Sequence, residues 1–170
     1  NYASTSSGTI SLGVMCTIAP VNLISLINHM NTRVPDLRIE LREGAGRDVL
    51  GHLLEGSIDV ALLGLPDYPK EVSTTPLFEE RFVVSLPPGH RLEGQETVTF
   101  RDLDGERYLR RTKCEYLEYH ADIARKLGIK LDVRMESDHE SWVQSMVVAG
   151  LGLAILPESL ALHAELARAR

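Results

Sequence analysis

The residues able to do chemistry gather in two short runs. Cys16 and Thr17 set a thiol beside a hydroxyl, and Arg110, Arg111, Thr112, Lys113 and Cys114 set three cations, a hydroxyl and a thiol in five consecutive positions. The second run suits a small anion through charge-assisted hydrogen bonds. Alternate strand residues point opposite ways, so only one or two of these side chains would face a ligand, and solvated surface is an equal reading. Neighbouring Arg110, Arg111 and Lys113 would favour the Cys114 thiolate, the form that reacts with peroxide, hypochlorite or electrophiles. The competing reading is an ordinary pocket cysteine.

Other candidates carry less. His120 follows Cys114 by six residues, but no oxyanion motif or positioned acid accompanies the pair. His139, near Glu136, Asp138 and Glu140, is read as part of an acidic helix-capping turn rather than a metal cluster. Gly44-Ala45-Gly46 lacks the third glycine and the ribose-binding acid of a dinucleotide fingerprint. The two cysteines have no C-x-x-C pattern or zinc-like His spacing. No catalytic residue, metal or cofactor is expected.

The elements that must carry these groups follow from periodicity. Ile10, Leu12 and Val14 alternate as a short strand, and Thr17 is the expected N-cap of a helix with Pro20 in its first turn. Leu23, Ile24, Ile27, Met30 and Val34 form its stripe, and Val21 and Leu26 widen it. Leu37–Leu41 reads as a strand ending at the Gly44-Ala45-Gly46 turn. A helix then runs from about Asp48 to Glu55, buries Val49, Leu50, Leu53 and Leu54, and stops at Gly56. Ile58–Leu65, nearly continuous in apolar residues, reads as a strand covered on both faces. Strand and helix alternate, which predicts a mostly parallel sheet with ligands beyond the strand ends at Cys16-Thr17, Gly44-Ala45-Gly46 and Gly64-Leu65-Pro66.

A second lobe is expected from the strand at Arg81–Leu86. Tyr108-Leu109-Arg110 is a short strand, and Glu115–Leu127 a helix with Leu117, Ala121, Ala124 and Leu127 on one face. Ile129, Leu131, Val133 and Met135 alternate as a half-buried strand. Ser137 or Asp138 would cap a helix carrying Trp142, Val143, Met146 and Val147, and a buried strand up to Pro157 precedes a helix from Glu158.

Composition bounds the answer. The chain of 170 residues is 44% hydrophobic and 25% charged, which is the balance of a globular protein rather than a disordered one. Its formal charge of −6 argues against direct binding to nucleic acid phosphates. No signal-peptide pattern or bilayer-length apolar run is evident, so the expected location is cytoplasmic, with no membrane association. The polar opening octet, without an initiator Met, reads as a linker remnant and suggests a piece of a longer protein.

Seven landmarks then occur in order: Gly8-Thr9-Ile10-Ser11-Leu12-Gly13-Val14; Thr17 leading into a helix; Arg33-Val34-Pro35-Asp36-Leu37; Leu54-Glu55-Gly56-Ser57-Ile58-Asp59-Val60-Ala61-Leu62; Pro76-Leu77-Phe78-Glu79-Glu80; Pro87-Pro88-Gly89-His90-Arg91-Leu92; and Val148 through Pro157. On these the chain closely resembles the effector-binding domain of LysR-type transcriptional regulators. The resemblance implies an α/β fold of two Rossmann-like lobes, periplasmic-binding-protein-like, joined by crossing strands around a cleft for a small effector. Residues 1–8 would then be linker, 9–78 the first lobe, and 79–170 the crossing strand and second lobe. The family's N-terminal winged helix-turn-helix is absent from this stretch, and the last strand and helix of its first lobe are not reached.

The resemblance also implies a role for each candidate. Effectors commonly bind at the position matching Thr17, so Cys16, Thr17, Ala45, Gly46, Gly64, Leu65, Arg111, Thr112, Lys113 and Cys114 form the expected effector site. Arg111-Thr112-Lys113-Cys114 is similar to the region holding the redox-active cysteine in the family's peroxide-sensing branch, although the following helix has no second cysteine. The expected function is a ligand-sensing regulatory domain, not an enzyme, that acts as a homodimer or tetramer and meets DNA only through the missing N-terminal domain. Val21 and Leu26 are the expected dimer surface. Redox sensing at Cys114, a periplasmic solute-binding protein and a cysteine-dependent enzyme are the alternatives.

Overall fold

A computed structural model describes residues 8–161. The chain divides into two compact units, Asn1–Phe78 and Glu79–Arg170. The expected linker octet lies outside the described residues except for Gly8.

Unit 1 is built around β1 (Thr9–Met15), with α1 (Pro20–Arg33), β2 (Arg38–Gly44), α2 (Gly46–Leu54) and β3 (Val60–Leu62) following. The three strands are all parallel, in the order β2-β1-β3. Alternation along β1 separates two packing faces. Leu12 and Val14 meet Leu23 of α1, with Ile18, Ile27, Ile39 and Leu62 around them. Met15 lies with Leu50 of α2 and with Leu65. Gly13 is where α2 comes closest: a Cβ there would stand 2.7 Å from Val49 and 2.4 Å from Ile58. Helices therefore cover both faces, and β1 is the doubly covered strand.

Unit 2 runs β4 (Phe82–Ser85), a 3-10 turn (Phe100–Leu103), β5 (Arg107–Arg111), α3 (Leu117–Leu127), β6 (Asp132–Ser137), α4 (Glu140–Val148) and β7 (Ala154–Pro157). The β4–β7 pair is antiparallel and the β5–β6 pair parallel. A parallel bridge between Tyr108 and Leu153 joins them. Leu92, Leu103, Tyr108 and Leu153 form one core cluster. Val143 and Val147 bury the inner face of α4, which packs on β5, β6 and β7.

Several elements depart from the expectation. Thr17 is not the N-cap of α1; Ala19 is, and Pro20 begins the helix. Within the α1 stripe, Ile24 and Val34 are exposed. The strand expected at Ile58–Leu65 shrinks to Val60–Leu62, and Val60 is 45% exposed because β3 ends the sheet among the described residues. The Tyr68 hydroxyl draws the chain off the ladder beyond it, accepting from Leu65 N–H at 3.1 Å and donating to the Leu63 carbonyl at 3.0 Å. Leu54 of α2 is exposed, and Gly56 takes the left-handed conformation, φ 73°, that ends the helix without a Cβ penalty.

In α3 His120 is buried and Leu117, Ala124 and Leu127 are half-buried on the same face, while Ala121 of the expected stripe is exposed. Val133 and Met135 of β6 are exposed rather than half-buried, and so is Trp142 of α4. His139, not Ser137 or Asp138, occupies the N-cap of α4, and its N–H donates to Ser137 Oγ at 3.1 Å. A helical segment starts at Glu158 as expected and is described as far as Ala161; the expected residues after it lie outside the described residues.

Candidate functional site

Each unit places its candidate residues at strand ends. In unit 1 the parallel strands finish on the same side of the sheet, which gathers three chain turns there. Met15 pairs with Gly44 at the end of the β1–β2 ladder, and Cys16 N–H continues it by donating to the Gly44 carbonyl at 2.8 Å. Cys16 and Thr17 leave β1, Ala45 and Gly46 open α2, and Gly64 and Leu65 follow β3. Thr17 is 5% exposed, Gly46 and Leu65 are buried, and Cys16, Ala45 and Gly64 are half-buried.

Two helix N-termini face this strand edge, because α1 follows β1 and α2 follows β2. Neither N-cap residue, Ala19 or Ala45, makes a side-chain cap. An alanine there leaves first-turn N–H groups to other acceptors, and the aligned peptide dipoles favour an anion. Asp48 in the first turn of α2 supplies negative charge at one of the two ends, whereas α1 has no acid in its first turn. Outside this edge, Arg47 donates to Asp67 at 2.6 Å.

In unit 2 the cationic run sits at the end of β5, and the structure shows its partners. Arg110 pairs with Glu136, its register partner on β6. Arg111 is turned inward, 7% exposed, and donates from Nη2 to Glu115 Oε2 at 2.5 Å; its Nε lies 3.4 Å from Glu140 Oε2. Both guanidinium groups are therefore occupied by carboxylates. Thr112 and Lys113 are exposed, and Thr112 N–H donates to the Ser137 carbonyl at 2.9 Å.

Cys114 is half-buried in the turn before α3, its N–H donating to the Arg111 carbonyl at 3.2 Å. The expectation of a depressed thiol is corrected here. Burial pushes the Cys114 thiol up, and the Tyr116 backbone N–H and Arg111 oppose that shift without reversing it. Desolvation disfavours the thiolate more than a guanidinium already engaged with carboxylates favours it.

His120 sits among Phe82, Tyr116, Tyr119 and Phe100, with ring centroids 5.1–6.5 Å apart across the cluster. Its burial lowers its pKa. His139 is exposed, 3.7 Å from Asp138. Among the described residues no group of three His, Cys, Asp or Glu side chains could hold a metal ion, and no helix is long and apolar enough to cross a membrane. Val21 and Leu26 are both exposed, 62% and 38%. At 3.6 residues per turn they lie about 140° apart around α1, so Val21 shares its face with Ile24 instead.

Sequence reasoning missed Glu115, Glu136 and Glu140 as the partners of Arg110 and Arg111. The four-residue spacing of Arg111 and Glu115 was a visible pairing signal, whereas Arg110–Glu136 needed the strand register and Arg111–Glu140 needed the helix packing.

A parallel sheet covered by helices, with candidate groups at its strand ends and a second α/β unit after it, defines a ligand-binding domain of the periplasmic-binding-protein-like class. The family model described as the LysR substrate binding domain matches residues 3–170, and the chain belongs to that family, one of transcriptional regulators rather than of enzymes. A probable hydrogen peroxide-inducible genes activator of Mycobacterium leprae is 30% identical over 156 residues, 91% of this chain and 50% of that protein. HinK, a LysR family regulator of Pseudomonas aeruginosa, superposes with a TM-score of 0.77 at 29% identity, covering 92% of this chain and 54% of HinK. The effector binding domain of QuiR, in complex with shikimate, superposes with a TM-score of 0.80 at 17% identity over 90% of this chain and 75% of that one, a likeness of fold. The chain thus spans about half the length of its curated relative.

Proposed function

We propose that this chain is the sensory part of a longer DNA-binding regulator and takes a small anionic effector at the strand ends of unit 1. The observation that carries the reading is the junction of Cys16 and Gly44, which brings the openings of α1 and α2 to one sheet edge with Thr17 buried beside it. A carboxylate suits such an edge because backbone N–H groups and two helix dipoles act on it together. Arg111 is assigned to positioning and not to direct ligand contact, since Glu115 and Glu140 hold it. Thr112, Lys113 and Cys114 remain effector candidates in the turn that follows β5 of unit 2. The QuiR complex supports a small organic ligand for the fold.

Signal transfer requires the effector to bind two arrangements of the protein with different affinity. The proposed partners are further copies of the chain, in a dimer or tetramer paired through α1, which exposes Val21 and Leu26 on different sides, and DNA through a separate segment in the cytoplasm. A thermal-shift screen of small carboxylic acids against their amides tests the effector class. Acids raising the melting temperature where amides do not is the expected result, and equal shifts from both would overturn it.

A second reading is redox sensing at Cys114, favoured by the identity with the Mycobacterium leprae peroxide-inducible activator. Peroxide would convert the thiolate to a sulfenic acid with release of hydroxide. Intact-mass titration decides it: one added oxygen lost in Cys114→Ser supports sensing, and an unchanged mass removes it.

A further inference from the structure

Three charged side chains from three elements are buried together in unit 2. Arg111 ends β5, Glu115 lies in the turn before α3, and Glu140 opens α4. Their side chains are 7%, 3% and 10% exposed. One guanidinium thus meets two carboxylates where little water screens them, and two such carboxylates resist simultaneous ionisation. The distances rank them: 2.5 Å to Glu115 and 3.4 Å to Glu140. Glu115 holds the cation more closely, and Glu140 is the member left to take a proton.

We propose that Arg111, Glu115 and Glu140 form a charge lock joining the Thr112–Glu115 turn to α4, closed and opened by one proton on the Glu140 carboxylate. A proton from solvent forms an O–H bond on Glu140, relieves the cost of burying that carboxylate as an anion and seats the first turn of α4. Its loss returns a buried anion to that turn, with Glu115 adding like charge, and loosens it.

The surroundings of Glu140 support this. Burial raises its pKa, Arg111 and the Gln144 amide oppose the shift, and Glu115 adds to it. Gln144 Nε2 donates to Glu140 Oε1 at 3.5 Å. From β5, Tyr108 also faces this charge, and Cys114 acts on Tyr108 in turn. Arg110 of β5 is paired with Glu136 of β6, and Arg134 with Asp132 within β6. No residue of β7 is titratable, and His139 just before α4 faces Asp138. Cys114 shares the locked turn, so the state of the lock reaches its thiol and the exposed Thr112 and Lys113. The lock holds whichever ligand that turn meets.

The chain carries its own reporter. Trp142, its single tryptophan, lies two residues beyond Glu140 on α4 and is 65% exposed. A raised folded-state pKa contributes stability that is present at low pH and fades as pH rises through it. Trp142 fluorescence and melting temperature of the whole chain are followed from about pH 4.5 to about pH 8. The expected result is a one-proton fluorescence transition that Glu140→Gln abolishes, Glu140→Asp restores and His139→Gln leaves in place. Glu140→Gln should also melt roughly 2–4 °C above the unmodified chain at the alkaline end and level with it at the acid end. A transition that survives Glu140→Gln overturns the lock, as does a variant that melts lower at the alkaline end or fails to fold, since either marks a fixed structural ion pair.

Discussion

Cys16 and Gly44 are joined by a 2.8 Å backbone hydrogen bond that extends the β1–β2 ladder one step past both strands. The bond ties the turn carrying Thr17 to the turn opening α2. Thr17 is therefore presented at the sheet edge with 5% exposure instead of capping α1. Thr17→Val keeps the shape and removes the hydroxyl. It is expected to fold normally and to lose the thermal stabilisation given by an effector acid; a full shift in the variant would take Thr17 out of the site.

Two glycines should respond to alanine in opposite ways. At Gly152 a Cβ would stand 2.7 Å from the Arg107 carbonyl oxygen, which accepts the Leu153 N–H at 2.9 Å. Backbone cannot yield as a side-chain tip can, so Gly152→Ala should lose about 1–3 kcal/mol. At Gly51, inside α2, a Cβ meets nothing within 4 Å. Gly51→Ala should gain about 0.5–1 kcal/mol from helix propensity. Urea unfolding of both variants measures the contrast.

Large apolar residues divide by burial rather than by type. Leu109 of β5 is 1% exposed, whereas Trp142 is mostly in solvent. Leu109→Ala should cost about 2–5 kcal/mol. Trp142→Ala should stay within about 0.5 kcal/mol. The same unfolding measurement reports both.

Cys114 should alkylate slowly near neutral pH, because burial raises its thiol and little thiolate is present. The rate measured in a Cys16→Ser background should climb at higher pH than for a free cysteine. A profile shifted to the acid side would show that Arg111 outweighs burial.

His120 is linked to pH with the opposite sign to Glu140. Its folded-state pKa is lowered by burial, so its contribution is present above the unfolded value and is lost as pH falls through the folded one. His120→Phe should flatten the loss of stability between about pH 7 and about pH 5. An unchanged slope in denaturant titrations would show that the ring titrates freely among its aromatic neighbours.

Much of this architecture was legible in residue order. Alternation in Ile10, Leu12 and Val14 gave β1, and the strand-helix alternation gave a parallel sheet with the candidate residues at its ends. Gly56 and Gly128, both with positive φ, stood where the helical patterns stopped. The helix start was misread because Thr17 is a good cap by type, while Ala19 holds the position by backbone geometry alone. Ile58–Leu65 was misread because an apolar run shows no difference between a central strand and an edge one.

Residue types and local spacing alone determined the alternation of strands and helices and the two runs that bear chemistry, and the order of the motifs carried the family resemblance. Those features depend on neighbours a few positions apart, whose periodicity is set by the backbone. Only the tertiary structure decided which of those groups are available. Arg110 and Arg111 look alike in the chain, yet strand alternation and packing give one to Glu136 and bury the other between Glu115 and Glu140. Charge and pKa depend on distance and on exclusion of water, and both are fixed by residues remote in sequence.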